Sequence, residues 1–284
     1  MKYNAIIIAA GTSSRFVPIS YEKPKGLIEV KGEVLIERQI RQLHEGGIKD
    51  ITIVVGYMAN SFAYLKKKYD VTIVNNEDYM CYNNTSSLMR VLSKLNNTYI
   101  CCSDQYYEHN PFITKYQESS YAALYANGQT NEYCLDINDA GQIQNVFIGG
   151  ENSWYMAGFA FFSNDFSEKF KKILINEYNL LSTRTSYWED IYIKHIGTLP
   201  LMRPIMFKQN ELLEFDSIDE LRRYDTSYIN NTRSKYIVEI CKKINCKEQE
   251  LTCFKKTNHM KGKVFVFKYK NRNFIYNNGE INIC

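Results

Sequence analysis

Residues 5–16 read AIIIAAGTSSRF, and ten residues after that arginine comes Lys25, in YEKPKGL (residues 21–27). Ala5–Ala10 is apolar without alternation, the pattern of a strand buried on both faces in a parallel sheet. A two-residue Asn-Gly would suffice to turn such a strand, yet Gly11, Thr12, Ser13, Ser14 and Arg15 follow it. Small-polar loops after a strand offer backbone N–H groups to phosphate. The loop is neither GxxxxGK[ST] nor GxGxxG, which excludes a P-loop and a dinucleotide-binding fingerprint. Two phosphate charges ~4 Å apart repel by ~4 kcal/mol at an effective dielectric of ~20. A site that joins two phosphorylated substrates therefore needs fixed cations, and Arg15 and Lys25 are candidates; the plain alternative is a solvated basic loop.

Working outward from this loop, Leu35–Gly46 is read as a helix with Ile36, Ile40 and Leu43 on one face and glycines at its end. Strands follow at Ile51–Val55, Val71–Asn75 and Tyr99–Cys102, with helices at Ser61–Lys68 and Thr85–Lys94 between them. That alternation predicts a parallel sheet with right-handed crossovers. Ligands of such sheets lie beyond the carboxyl ends of the strands, so Ala9–Arg15, Gly56-Tyr57, Asn75-Asn76 and Asp104 are expected along one rim. After residue 120 the alternation gives way to strands at Tyr121–Ala126, Glu132–Asn138, Gln142–Ile148 and Trp154–Phe162, with a hairpin turn at NDAG (138–141). Helices at Ser167–Glu177 and 186–196, a short strand at Leu212–Phe215 and a helix at Ile218–Tyr224 complete the reading. The expected fold class is α/β, a Rossmann-like, mostly parallel mixed sheet flanked by helices, with a small C-terminal α+β tail.

The chain has 35 basic and 31 acidic residues, of which 14 and 7 fall in residues 217–284; that segment carries +7 and the remainder −3. A main domain without basic excess is not built to coat nucleic acid. No window approaches eighteen apolar residues, and Ala5–Ala10 is too short for a signal-peptide core, so no membrane span and a cytoplasmic location are expected. The eight cysteines show no CxxC pair and read as free thiols in a reducing compartment. His44, His109, His195 and His259 have neither metal nor triad spacing.

AAGTSSRF…EKPKGLIEV, together with VVGY, YNNTSSL, CCSDQYY, SYWEDIY and EFDS, resembles the nucleotidyltransferases that make activated sugars and alcohols, whose pattern is roughly AAGxGxR…PK. Within them the chain is most similar to bacterial CTP:phosphocholine cytidylyltransferases, over about residues 1–225. Ser13 stands where that pattern has its second glycine. YDTSYINNTRSKYIVEI and FVFKYKNRNFIY resemble the junction and opening hairpin of a fused choline kinase, with TNHMKGK (257–263) where a glycine-rich turn is expected. The chain stops before any kinase catalytic loop, so the tail is not expected to be a working kinase. The expected division is a nucleotidyltransferase domain over 1–228 and a basic tail over 229–284.

The resemblance implies roles. Arg15 and Lys25 would grip triphosphate and the attacking phosphate, while Ala9, Ala10, Gly11, Thr12, Ser13 and Ser14 would give backbone contacts to the nucleotide. Gly56, Tyr57, Asn83, Asn84 and Ser87 would frame base and ribose; for the serine, helix capping is the plain alternative. An Asp after a strand is more often a turn residue than a ligand, but the resemblance implies Mg²⁺ on Asp104 and Asp216, with Glu214 supporting. A trimethylammonium group takes aromatic faces, at ~0.5–2 kcal/mol each, and a nearby carboxylate. Tyr187, Trp188, Glu189 and Asp190 supply both, with Tyr133, where the resembled enzymes usually carry tryptophan, and Trp154 as further rings. Of two adjacent aromatics at least one belongs to the core, so Tyr187 and Glu189 are favoured for the pocket and Trp188 is expected to be partly core.

The implied reaction is CTP plus phosphocholine giving CDP-choline and pyrophosphate, with small-molecule substrates and no nucleic-acid partner. A primary-amine substrate (2-aminoethylphosphonate or phosphoethanolamine), a sugar 1-phosphate, or a non-catalytic nucleotide-binding module remain open.

Overall fold

A computed structural model describes residues 2–257 and 262–284. The chain forms two compact units, one of residues 1–11 and 36–214, the other of residues 12–35 and 215–284. This division differs from the expected boundary at 228/229. Residues 12–35 leave the first unit immediately after its first strand and fold with the C-terminal segment, a long-range association that no local pattern announces.

The first unit is built on a nine-stranded mixed sheet. Its parallel block runs Asn97–Cys102, Tyr3–Ala9, Asp50–Val55, Thr72–Asn75, in that spatial order. Ala5, Ile6 and Ile7 are fully buried at its centre, as the unbroken apolar run predicts. Trp154–Phe162 pairs antiparallel with Asn97–Cys102 and begins the second block. That block contains the hairpin of Gln129–Ile137 with Ile143–Glu151, the strand Ser120–Tyr125, and Arg203–Met206 parallel to it. Arg203–Met206 was not expected from sequence; it has Pro at its second position, which cannot donate to a ladder and suits an edge. In the Leu35–Glu45 helix, Leu35, Ile36, Ile40 and Leu43 are buried, and Gly47 at φ 76° ends it in the left-handed conformation that glycine adopts without strain. The Asn164–Glu177 helix is capped by Ser163 and buries Phe166, Phe170 and Leu174 at a four-residue spacing.

The expected last strand forms as Leu212–Glu214, but outside the main sheet. It pairs antiparallel with Gln105–Tyr107, placing Glu214 opposite Gln105.

The second unit contains the hairpin Glu29–Val30 with Glu33–Val34, the helices Ile218–Tyr224 and Lys235–Ile244, and a four-stranded antiparallel sheet. That sheet runs Thr252–Lys256, Val264–Tyr269, Arg272–Asn277, Glu280–Ile283 in spatial order. Its core rings are Phe254, Phe265, Phe267 and Tyr276. Of the turn read at 257–263, residues 258–261 lie outside the described residues, as does His259.

Candidate active site

In the second unit, the segment after Gly11 tightens at once. Ser13 lies at φ 51°, ψ 41°, and its carbonyl accepts from Phe16 N at 2.9 Å to close the short turn Ser14–Phe16. A left-handed non-glycine residue costs about 1–2 kcal/mol, which explains physically why glycine suits this position. The turn exposes Arg15, whose Nη1 reaches Asp216 Oδ2 at 2.5 Å; Lys25 Nζ reaches Oδ1 of the same carboxylate at 3.2 Å. The two sequence-predicted cations and one predicted metal ligand thus meet, across 201 and 191 residues of chain. Their surroundings differ: 73% of the Arg15 side chain is exposed against 8% for Lys25. Asp216 is fixed by its backbone N–H, which donates to Glu220 Oε2 at 2.7 Å, just before Ser217 caps the Ile218–Tyr224 helix.

In the first unit, Ala9 and Ala10 bury their side chains, and the Ala10 carbonyl accepts from Tyr57 N at 3.0 Å. Gly56 has a packing reason: an added Cβ would lie 2.7 Å from Tyr79 and 2.9 Å from the Ala10 carbonyl oxygen. Gly11 is the opposite case, for it has an ordinary φ and its Cβ would meet nothing within 4 Å. The fold does not require glycine there, so its lack of a side chain leaves room for a ligand to approach the backbone. Gly11→Ala is expected to leave the thermal midpoint unchanged and to weaken Mg-CTP binding about tenfold, which is about 1.4 kcal/mol. Calorimetric titration beside a melting curve measures both, and full affinity would remove Gly11 from the nucleotide contact.

The Asn84–Arg90 helix is held from below. Ser86 and Ser87 are buried and accept from Asn76 Nδ2 at 2.8 and 3.1 Å, and Asn83 accepts from Asn84 N as the N-cap. Asn84 Oδ1 accepts from Trp188 N at 2.7 Å, while its Nδ2 donates to Glu189 Oε2 at 3.3 Å. The Asn84 amide and the Ser87 hydroxyl, expected at the base and ribose, are therefore turned to protein groups, and Asn84 orients the start of the Trp188–Lys194 helix.

At that helix start the expected substrate residues sort themselves. Trp188 is a correction: 2% exposed, stacked on Tyr121 at 5.6 Å and edge-on to Phe162 at 5.0 Å, it belongs wholly to the core and offers no ring face. Tyr187 is 48% exposed. Asp190 accepts from Tyr187 N and from the Tyr133 hydroxyl, both at 2.8 Å, so it holds the two tyrosines together. Trp154 packs edge-on against Tyr125 at 5.3 Å. Glu189 is buried and accepts from the Tyr121 hydroxyl at 3.0 Å; burial pushes its carboxyl up to about 7. Sequence reading placed Asn76 on the rim without its serine partners, and missed Tyr121 and the orienting role of Asn84. In YAALYA only the strand alternation marks Tyr121 as inward, and nothing local says what its hydroxyl meets.

Asp104 is half-buried directly after the Asn97–Cys102 strand, and Glu214 is one register step away, opposite Gln105. The half-buried Cys102 thiol is raised first by desolvation and then by the negative charges of Asp104, Glu189 and Glu214. Among the described residues no group of three or more His, Cys, Asp or Glu is arranged to hold a metal. Mg²⁺ needs few protein oxygens and takes the rest from water and phosphate. Carboxylates such as Asp104 and Glu214, in neighbouring register, fit a cation of that kind.

Residues 5–131 match the family model of the MobA-like NTP transferase domain. The 2-aminoethylphosphonate cytidylyltransferase of Lancefieldella rimae is 32% identical over 82% of this chain and 96% of its own. The choline-phosphate cytidylyltransferase of Streptococcus pneumoniae is 33% identical over 78% of this chain and 96% of its own. Among solved structures, the CTP:phosphocholine cytidylyltransferase from Streptococcus pneumoniae superposes with a TM-score of 0.75 at 33% identity, covering 78% of this chain and 97% of that one. Among the described residues no helix is long and apolar enough to cross a membrane.

Proposed function

This chain belongs to the cytidylyltransferase family of nucleotidyltransferases, and from that premise we propose that it transfers CMP from CTP to the phosphate of phosphocholine, releasing pyrophosphate. The phosphate oxygen attacks the α-phosphorus in line; the α–β phosphoanhydride bond breaks and pyrophosphate leaves with its electrons. The attacking oxygen is already anionic, so no protein base is required. Catalysis then rests on position and charge. Asp216 holds Arg15 and Lys25, and a triphosphate would compete for both. Asp104, with Glu214 in support, would hold Mg²⁺, which supplies charge neutralisation on the phosphates when bound.

The observation that carries the choice of phosphocholine is the pair of tyrosines joined by Asp190. Tyr133 is locked by its hydroxyl and Tyr187 is open to solvent, both beside Glu189, whereas both Asp190 oxygens already accept hydrogen bonds. Ring faces beside one buried carboxylate suit a trimethylammonium group. A second reading, 2-aminoethylphosphonate, has a specific support in the relative that bears that name; a primary amine would take carboxylate oxygens in place of ring faces.

The deciding experiment is pyrophosphate release with Mg-CTP and, in parallel, phosphocholine, 2-aminoethylphosphonate, phosphoethanolamine and glucose 1-phosphate. A kcat/KM for phosphocholine at least about tenfold above the primary amines is expected, a discrimination of about 1.4 kcal/mol. Preference for 2-aminoethylphosphonate would retain the chemistry and replace the substrate. No turnover with any of them, alongside intact CTP binding, would leave a nucleotide-binding module.

A further inference from the structure

The C-terminal segment lies beyond the cytidylyltransferase resemblance, which covers about residues 1–225, yet it folds with the loop that carries Arg15 and Lys25. The contacts between them are specific. The Tyr21 hydroxyl donates to the Val264 carbonyl at 2.8 Å, and its ring packs edge-on to Tyr236 at 6.1 Å, with Lys263 Nζ 4.7 Å from the ring centre. Glu22 accepts from the Ser234 hydroxyl at 2.6 Å and from Lys235 N at 3.2 Å, a carboxylate at the amino end of the Lys235–Ile244 helix, where the helix dipole favours negative charge. The Lys31 backbone N–H donates to Asp225 at 2.7 Å, and the Tyr228 hydroxyl to the Glu29 carbonyl at 2.6 Å. The other half of the ion-pair cluster is tied down too. Six residues after Asp216, buried Arg222 donates to the Leu251 and Glu248 carbonyls at 2.6 and 2.7 Å. The loop between Tyr21 and Glu29 contains Lys25, so that cation is spanned by anchors on both sides.

We propose that residues 226–284 act as an intramolecular brace that sets the position of Arg15 and Lys25, and that Tyr21 and Glu22 are positioning residues for triphosphate binding. A cation in a loop gains catalytic and binding value only where its position is fixed before the ligand arrives. Short 3-10 turns at Ser14–Phe16, Ile19–Tyr21 and Lys25–Leu27 give this loop local backbone hydrogen bonds, and the brace adds long-range ones through Tyr21 and Glu22. The proposal rests on the reading of Arg15 and Lys25 as triphosphate ligands, but on neither phosphocholine nor turnover.

The test uses the full chain and two readouts, the Kd for Mg-CTP by calorimetry and amide hydrogen exchange over residues 13–31 without nucleotide. Glu22→Ala is expected to weaken Mg-CTP about tenfold and to speed exchange across 13–31 while the Tyr3–Ala9 strand stays protected. Glu22→Gln keeps an acceptor oxygen and should restore most of the affinity, and Tyr21→Phe, which removes one hydroxyl, should fall between the two. Tyr276→Phe is the control, because its hydroxyl bonds Glu239 inside the tail at 3.0 Å without touching the loop. It should leave the Kd unchanged even if it lowers the thermal midpoint. Unchanged Mg-CTP affinity in folded Glu22→Ala and Tyr21→Phe overturns the brace, and so does an equal loss in Tyr276→Phe. Failure of the substrate reading shows separately, as CTP binding without turnover of phosphocholine.

Discussion

Lys25→Met is expected to lower kcat/KM for Mg-CTP by about 10²–10³-fold, and Arg15→Met by only about tenfold. The two cations share one carboxylate, so the difference comes from their surroundings. Lys25 is buried and Arg15 mostly exposed. At ~4 Å a unit charge pair is worth ~1 kcal/mol in water but ~4 kcal/mol at an effective dielectric of ~20. A pre-set donor in a sheltered site typically contributes about 10²–10³ to rate, whereas a solvent-screened charge contributes much less. The fold should survive both changes, since Asp216 keeps one cationic partner in each. Steady-state kinetics on variants with wild-type melting curves test the ordering; an Arg15 effect equal to or above that of Lys25 would contradict this assignment of the sheltered cation.

Glu189→Gln should raise the KM for phosphocholine about tenfold or more at pH 8 and leave the KM for CTP unchanged. Its pH dependence is more diagnostic than its size. Burial raises the Glu189 carboxyl from 4.5 to about 7, so the folded protein binds this proton more tightly than the unfolded chain. Stability from this group therefore falls as pH rises from about 4.5 through about 7, and Glu189→Gln escapes that loss. Substrate affinity runs the other way. A quaternary ammonium needs the ionised carboxylate, so in the wild type the KM for phosphocholine should fall as pH climbs from 6 to 8 and level off above about 8. Phosphate ionisation of the substrate changes in the same range, and Glu189→Gln isolates it: whatever slope survives there belongs to the substrate. Identical pH profiles for the two proteins would show that Glu189 serves the core, through Tyr121 and Asn84, and not the substrate.

Much of this site was legible in the chain because short-range physics writes it there. The apolar run Ala5–Ala10 and the repeated strand–helix spacing specify a parallel block, and the abrupt change to small polar residues at Gly11 marks where its first strand ends. Candidates at strand ends, Asp104 and the Gly56-Tyr57 turn among them, follow from that geometry with no knowledge of contacts. The adjacent pair Tyr187-Trp188 announces that one ring is inward, since neighbours on a helix point apart.

What sequence could not decide depends on partners far away in the chain. Trp188 is wholly core because Tyr121 stacks on it, and the Glu189 carboxyl is raised because burial desolvates it, while the hydrogen bonds from Asn84 and Tyr121 pull the other way. In isolation Asp216 reads as a turn residue and only the resemblance makes it a metal ligand, yet its carboxylate holds Arg15 and Lys25, some 200 residues before it. The tail looks like an appendage until Tyr21 and Glu22 are seen docked on it. Local propensity and periodicity select elements and the faces they bury, and that much this sequence determined. The charge state of a buried carboxylate, the partner of a cation and the owner of a loop depend on which desolvated groups meet at long range, and only the tertiary structure decides that.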